Sequence, residues 1–115
     1  MTITSSNISI NVKDLDKSIS FYESIGLTVK NRWGKYYAQL TAPDIVVWLH
    51  PSSNANLPGN SGNASIGFTV DDFEGAKVLL QKLSIKTTDR KEEGGQFLHF
   101  NDLDGTALYF IKQNW

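Results

Sequence analysis

Ile8-Ser9-Ile10-Asn11-Val12-Lys13-Asp14-Leu15-Asp16-Lys17-Ser18-Ile19-Ser20-Phe21-Tyr22, closed by Gly26, reads as a strand, a sharp turn and a helix. Ile8, Ile10 and Val12 alternate with Ser9 and Asn11, the period of two expected of a half-buried strand. Asp14 is placed to cap the next helix by accepting a backbone N–H bond. Leu15, Ile19, Tyr22 and Ile25, with Ser18 between them, recur at helical spacing. Gly26 suits the left-handed residue that ends a helix.

The same stretch returns 58 positions later as Ile66-Gly67-Phe68-Thr69-Val70-Asp71-Asp72-Phe73-Glu74-Gly75-Ala76-Lys77. Val12 falls on Val70, Asp14 on Asp72, Leu15 on Phe73 and Ser18 on Ala76. The tails correspond as well. Leu40-Thr41-Ala42-Pro43-Asp44 before Val46-Val47-Trp48-Leu49 resembles Phe100-Asn101-Asp102-Leu103-Asp104 before Ala107-Leu108-Tyr109-Phe110. Internal duplication is therefore the expected architecture.

The first module, about residues 6–50, reads strand, helix, strand, strand, strand. Trp33-Gly34-Lys35 and Ala42-Pro43-Asp44 mark its turns. Residues 51–63 are rich in Pro, Ser, Asn and Gly and read as a linker near the midpoint. The second module, about residues 64–112, repeats the pattern. Its helix runs from Phe73 to about Leu83, with Ala76, Leu79, Leu80 and Leu83 as the buried stripe. Asp89 to Gly95 reads as a charged turn. The fold class is α+β, with both helices on one side of a curved, mainly antiparallel sheet.

At 115 residues the chain has room for one compact domain or two half-domains. A net charge of −1, without a Lys/Arg block, lacks the electrostatic footprint of a nucleic-acid binder. The absence of cysteine excludes disulfides, thiol catalysis and cysteine–metal sites. No stretch approaches the roughly 20 apolar residues of a membrane helix, and Met1 to Asn7 has no signal-peptide character. The expected location is cytoplasmic, with no membrane partner.

Val12-Lys13-Asp14-Leu15-Asp16-Lys17-Ser18, Phe21-Tyr22, Gly26-Leu27 and Phe68-Thr69-Val70-Asp71-Asp72 together resemble the vicinal oxygen chelate superfamily. That superfamily holds glyoxalase I, extradiol dioxygenases, and fosfomycin- and bleomycin-resistance proteins. Asp102-Leu103-Asp104-Gly105 resembles its "DPDG" turn, with leucine for proline. The resemblance runs from about Ser6 to Lys112. It implies two βαβββ modules around a cup-shaped cavity, commonly completed by homodimerisation.

The resemblance also implies four metal-ligand positions, usually His or Glu, which fall here on Asn7, Trp48, Ser65 and Tyr109. Asn and Ser offer only neutral oxygens, and zinc or nickel prefers imidazole or carboxylate. The expectation is that the family metal is lost and that no cofactor remains. His50 stands two residues beyond Trp48, on the same strand face. It reads either as a group facing the cavity or as a polar strand end. His99 reads either as a cavity-lining group or as part of a solvated face. Asp71, Asp72, Asp102 and Asp104 read as turn and cap residues. Ser65 has no neighbouring histidine to activate it, so no catalytic residue is assigned.

Aromatic surface accumulates on the expected cavity face: Trp48 and Tyr109, with Trp33, Tyr36, Tyr37 and Phe97 on neighbouring strands. Asn7, Ser9, Asn11, Ser65 and Thr69 add neutral hydrogen-bonding groups. An apolar pocket with a few polar anchors is the usual make-up of a small-molecule site. The preferred function is a metal-free protein that sequesters a planar or aromatic compound, with Asn7, Trp48, His50, Ser65 and Tyr109 as ligand-binding residues. The alternatives are a glyoxalase- or dioxygenase-like metalloenzyme with atypical ligands, and a non-catalytic dimer whose cavity its own side chains fill.

Overall fold

The computed structural model describes residues 1–51, 64–92 and 95–113. The chain divides into two compact units, residues 1–57 and 58–115, each built as βαβββ. In the first, β1 (Ile8–Val12) leads into α1 (Leu15–Ser24), then β2 (Thr28–Trp33), β3 (Tyr37–Ala42) and β4 (Ile45–Pro51). In the second, β5 (Ile66–Thr69) leads into α2 (Phe73–Lys82), then β6 (Thr88–Glu92), β7 (Gly95–Asn101) and β8 (Ala107–Gln113). The expected, mainly antiparallel strands form two four-stranded sheets, ordered β1-β4-β3-β2 and β5-β8-β7-β6. Each has one parallel pair, β1 with β4 and β5 with β8, and is otherwise antiparallel. The parallel pair needs a long crossover, and the helix with its two following strands supplies it.

Both helices start as the sequence dictates. Asp14 caps α1 by accepting the Lys17 backbone N–H at 3.0 Å, and Asp72 caps α2 through Gly75 N–H at 2.9 Å. They end on the same backbone device. Leu27 N–H reaches Tyr22 C=O, and Ile85 N–H reaches Leu80 C=O, bonds of the Schellman type. The residue between must be left-handed. In α1 it is Gly26, at φ 114°; in α2 it is Ser84, at φ 58°. A side chain held there costs about 1–2 kcal/mol, while glycine gives up about 0.4–1 kcal/mol through the unfolded chain. Ser84→Gly is therefore expected to stabilise the protein by roughly 0.5–1 kcal/mol, read as a higher urea midpoint.

The core of each unit lies between its helix and one sheet face. In the first unit Val12, Tyr22, Ala38, Leu40, Val47 and Leu49 have no exposed surface. In the second, Leu80, Leu98 and Leu108 are the most deeply buried, beside Phe100 and Phe110 with ring centroids 5.0 Å apart. Asp102, also buried, closes the β7–β8 turn by accepting the backbone N–H groups of Asp104 (2.9 Å) and Thr106 (2.8 Å). Leu83, expected in the buried stripe of α2, instead lies past the helix end and is 38% exposed.

The charged segment after Thr88 is a strand, not the expected turn. Thr88–Glu92 pairs antiparallel with β7 from Thr88 opposite His99 to Glu92 opposite Gly95. It is the sheet's edge and every residue in it is exposed, so solvated charges sit there without cost and discourage further strand pairing. Pro51, read from the sequence as the first linker residue, instead closes β4 opposite Val12, and the rest of that stretch lies outside the described residues.

Lys77 of α2 ties down this edge by donating to the Asp89 carboxylate at 2.8 Å, which Gln96 also supports. The Lys77 hydrogen bond, then the Gln96 one, holds the Asp89 carboxyl below its ordinary value. The same hydrogen bond, with the Asp89 charge, raises Lys77. Asp89 thus adds stability above the ordinary carboxylate range and loses it as pH falls through its lowered folded value. Lys77 adds stability below the ordinary lysine value and loses it as pH rises through its raised one. The Tm difference between the wild type and Asp89→Asn is expected to be small at neutral pH and to vanish in acid. Both side chains keep about a third of their surface in solvent, so screening keeps the effect modest.

Candidate functional site

Strand alternation decides which side chains are left for function. In β3, Ala38 and Leu40 point to the α1 side, leaving Tyr37 and Gln39 on the opposite face. In β4, Val47 and Leu49 are buried, leaving Trp48 and His50 on that opposite face. In β1, Ile10 and Val12 are buried, leaving Ser9 and Asn11. The register sets these residues side by side: Ser9 and Gln39 flank Trp48, Asn11 lies beside His50, and Trp33 of β2 lies opposite Tyr37.

The rings on this face form one continuous cluster. Trp33 stacks on Trp48 with centroids 5.4 Å apart and planes 25° apart. Tyr37 touches both, at 4.7 Å from Trp33 and 5.6 Å from Trp48. The His50 imidazole lies 5.6 Å from Tyr37. Such pairs add roughly 0.5–1.5 kcal/mol each beyond area burial. Asn7, Ser9, Tyr37, Trp48 and His50 line an open depression of about 400 Å³. Among the described residues, the side chains of Asn7, Ser9 and His50 make no hydrogen bond, so their polar atoms are free for a guest. Asn31 instead donates to Gln39, which ties two polar groups of this face to each other. Tyr36, grouped with these aromatics in the sequence, sits in the β2–β3 turn, 68% exposed and outside the cluster.

The second unit carries the matching positions differently. Tyr109 of β8 lies between Gly67 of β5 and His99 of β7, as Trp48 lies between Ser9 and Gln39. Tyr109, His99 and Phe97 form a ring cluster with centroids 5.7–6.0 Å apart. The Tyr109 ring lies over Gly67 so closely that a Cβ built there would stand 2.1 Å from Tyr109 Cζ. Tyr109 thus fills the space beside β5 that stays open beside Ser9 in the first unit. His99 also reaches a separate depression of about 570 Å³ with Lys86, Thr87, Thr88 and Asn101. That hollow is larger, but it meets the ring cluster only at His99. Ser65, the counterpart of Asn7, is exposed just before β5.

The site residues expected from the sequence therefore divide. Asn7, Trp48 and His50 share one depression in the first unit, while Ser65 and Tyr109 belong to the second. Sequence reading missed the Gln39–Asn31 bond and the seat of Tyr109 on Gly67. Glycine at the place of Ser9 was the available signal for the second.

The donor chemistry does not suit a metal. Trp48 presents an indole N–H that only donates, and Asn7 a neutral amide. Among the described residues each unit's face carries one imidazole; no carboxylate projects from β1, β3 or β4, and on the second unit's face the register places Glu92 at the sheet edge, opposite Gly95. No group of three or more His, Asp or Glu side chains converges among the described residues. Zinc, nickel or iron takes several imidazole or carboxylate ligands, and this set does not fit them. Among the described residues, no helix is long and apolar enough to cross a membrane.

Residues 4–110 match the family described as Glyoxalase/Bleomycin resistance protein/Dioxygenase superfamily. The metallothiol transferase FosB of Lysinibacillus sphaericus (strain C3-41) is 31% identical over 123 residues, spanning 96% of this chain and 83% of FosB. The genomically encoded fosfomycin resistance protein FosX of Listeria monocytogenes superposes with a TM-score of 0.84 at 16% identity, over 99% of this chain and 94% of FosX. A bleomycin-binding protein complexed with bleomycin superposes with a TM-score of 0.71 at 18% identity, over 97% of this chain and all of the other. At these identities the two structures speak for the fold alone.

Proposed function

The chain belongs to the glyoxalase/bleomycin resistance protein/dioxygenase superfamily, and from that premise we propose that it is a metal-independent binding protein that holds a planar aromatic small molecule on the open face of its first unit. The observation that carries this reading is the stacked Trp33–Trp48 pair beside unpartnered Asn7, Ser9 and His50. Flat apolar walls with a few polar anchors favour a flat guest. Stacking on a ring already held by its neighbours costs little ordering of the protein. Ser65 and Tyr109, assigned to the ligand from the sequence, are left out of the primary contact, because Tyr109 is already seated on Gly67.

Tryptophan fluorescence tests this directly. A panel of planar aromatic compounds, titrated with and without EDTA, is expected to yield saturable quenching that the chelator leaves unchanged. Silence across the whole panel sinks the proposal. We place the protein in the cytoplasm as a homodimer; light scattering behind size exclusion checks the oligomer.

The FosB relative favours a second reading, metal-dependent thiol transfer with atypical ligands, because its name specifies a metallothiol transferase. The two readings part on metal content. Untagged protein incubated in turn with zinc, nickel, manganese and ferrous iron, then desalted, is expected to retain almost none. Stoichiometric retention would instead favour the second, with His50 and His99 as the first residues to replace.

A further inference from the structure

Resting on the reading just given, we infer that the guest is an acid: the open face of the first unit is a site for planar aromatic carboxylates. The first ground is where negative charge is absent. The four acidic residues of the described part of this unit are Asp14, Asp16, Glu23 and Asp44. Asp14 caps α1, Asp16 pairs with Arg32, Glu23 lies on α1 and Asp44 is in the β3–β4 turn. Helix α1 covers the other side of the sheet, where Val47 and Leu49 are buried. No carboxylate therefore projects from β1, β3 or β4 onto the aromatic face.

The second ground is what the face offers. Trp48 brings an N–H that cannot accept, and His50, Asn7 and Ser9 each bring a donor with no partner among the described residues. An ionised carboxylate only accepts, so it can take a hydrogen bond from whichever of these donors it reaches.

The third ground is layout. Asn7, just before β1, lines the depression on one side of the Ser9–Trp48 pair, and His50, beside Asn11, lies on the other. Asn7 immediately precedes β1 and Asn11 lies within it, four residues on, an extended span of roughly 13 Å. A ring seated on Trp48 thus has a donor beyond each end, and its acid group reaches one of them. The imidazole is the stronger anchor for an anion.

Three probes sharing one ring system test the inference: 2-naphthoate, 2-naphthamide and 2-naphthylmethylammonium, each titrated at neutral pH by calorimetry and Trp quenching. The carboxylate is expected to bind about tenfold or more tighter than the amide, the gain of one charge-assisted hydrogen bond. The ammonium is expected to bind weakest. His50→Ala should bring carboxylate and amide within about threefold of each other, and His50→Gln should keep part of the preference. Melting curves establish that both variants fold. Equal binding of acid and amide, tighter binding of the ammonium, or a preference that survives His50→Ala overturns the inference while the stacking site stands. Failure of all three probes to bind overturns both.

Discussion

Replacing Leu49 with alanine is expected to cost the protein roughly 2–5 kcal/mol, the largest stability loss argued from this structure. Leu49 has no exposed surface. It lies on β4 between its parallel partner β1 and its antiparallel partner β3, opposite Ile10 and Ala38. Truncation removes its apolar surface from burial and leaves a cavity that two hydrogen-bonded neighbours prevent from collapsing. A unit of this size has little core in reserve. Urea denaturation followed by circular dichroism reads the loss directly; a change below about 1 kcal/mol would mean that the site collapses or that β4 is not central to the core.

Trp48→Ala, one residue away, is expected to do the opposite. Its side chain is half-buried on the face away from the core. Its packing partners are Trp33 and Tyr37, at about 0.5–1.5 kcal/mol per ring pair. The expected stability loss is below about 2 kcal/mol, short of the roughly 3–5 kcal/mol of a core tryptophan. The expected loss of affinity for a planar aromatic guest is roughly 10- to 100-fold, since the main stacking surface is gone. Calorimetric titration alongside urea denaturation separates the two quantities. A variant that loses 3 kcal/mol or more of stability while binding is unchanged would make Trp48 a packing residue. Leu49→Ala and Trp48→Ala together test one statement about β4: odd positions hold the fold and even positions hold the guest.

The parts of the fold legible in the sequence were those where local chemistry and tertiary demand agree. Asp14 and Asp72 cap because an acidic side chain before a helical period has few better uses. Gly26 ends α1 because only glycine adopts φ 114° without strain. Its counterpart Ser84 carried no such signal, and the end of α2 near Leu83 was legible only from the helix's apolar stripe. Strand β6 was illegible for the converse reason. An edge strand with both faces in water has no apolar alternation, and Thr88–Glu92 looks like a turn until β7 is seen beside it.

At the site, alternation put Trp48 and His50 on one face, and the structure brings them together with Asn7. Whether Tyr36 or Tyr37 joined them depended on where the β2–β3 turn closes. Trp33 opposite Tyr37 settles it, leaving Tyr36 in the turn. The pose of Tyr109 was beyond sequence reading, because it is a rotamer choice made against a neighbouring strand.

That pose binds the history of two positions together. The ring of Tyr109 and a Cβ at position 67 claim the same volume. A mutation from glycine at 67 meets the far end of a side chain, which swings away at small cost, so the substitution is tolerated by the fold and felt by the face. The two repeats share one βαβββ plan, and this exclusion is a simple way for them to differ. With glycine, a repeat closes its own hollow; with serine, as at Ser9, it leaves one open. A relative bearing serine at 67 is the one in which the second repeat, too, should present an open face.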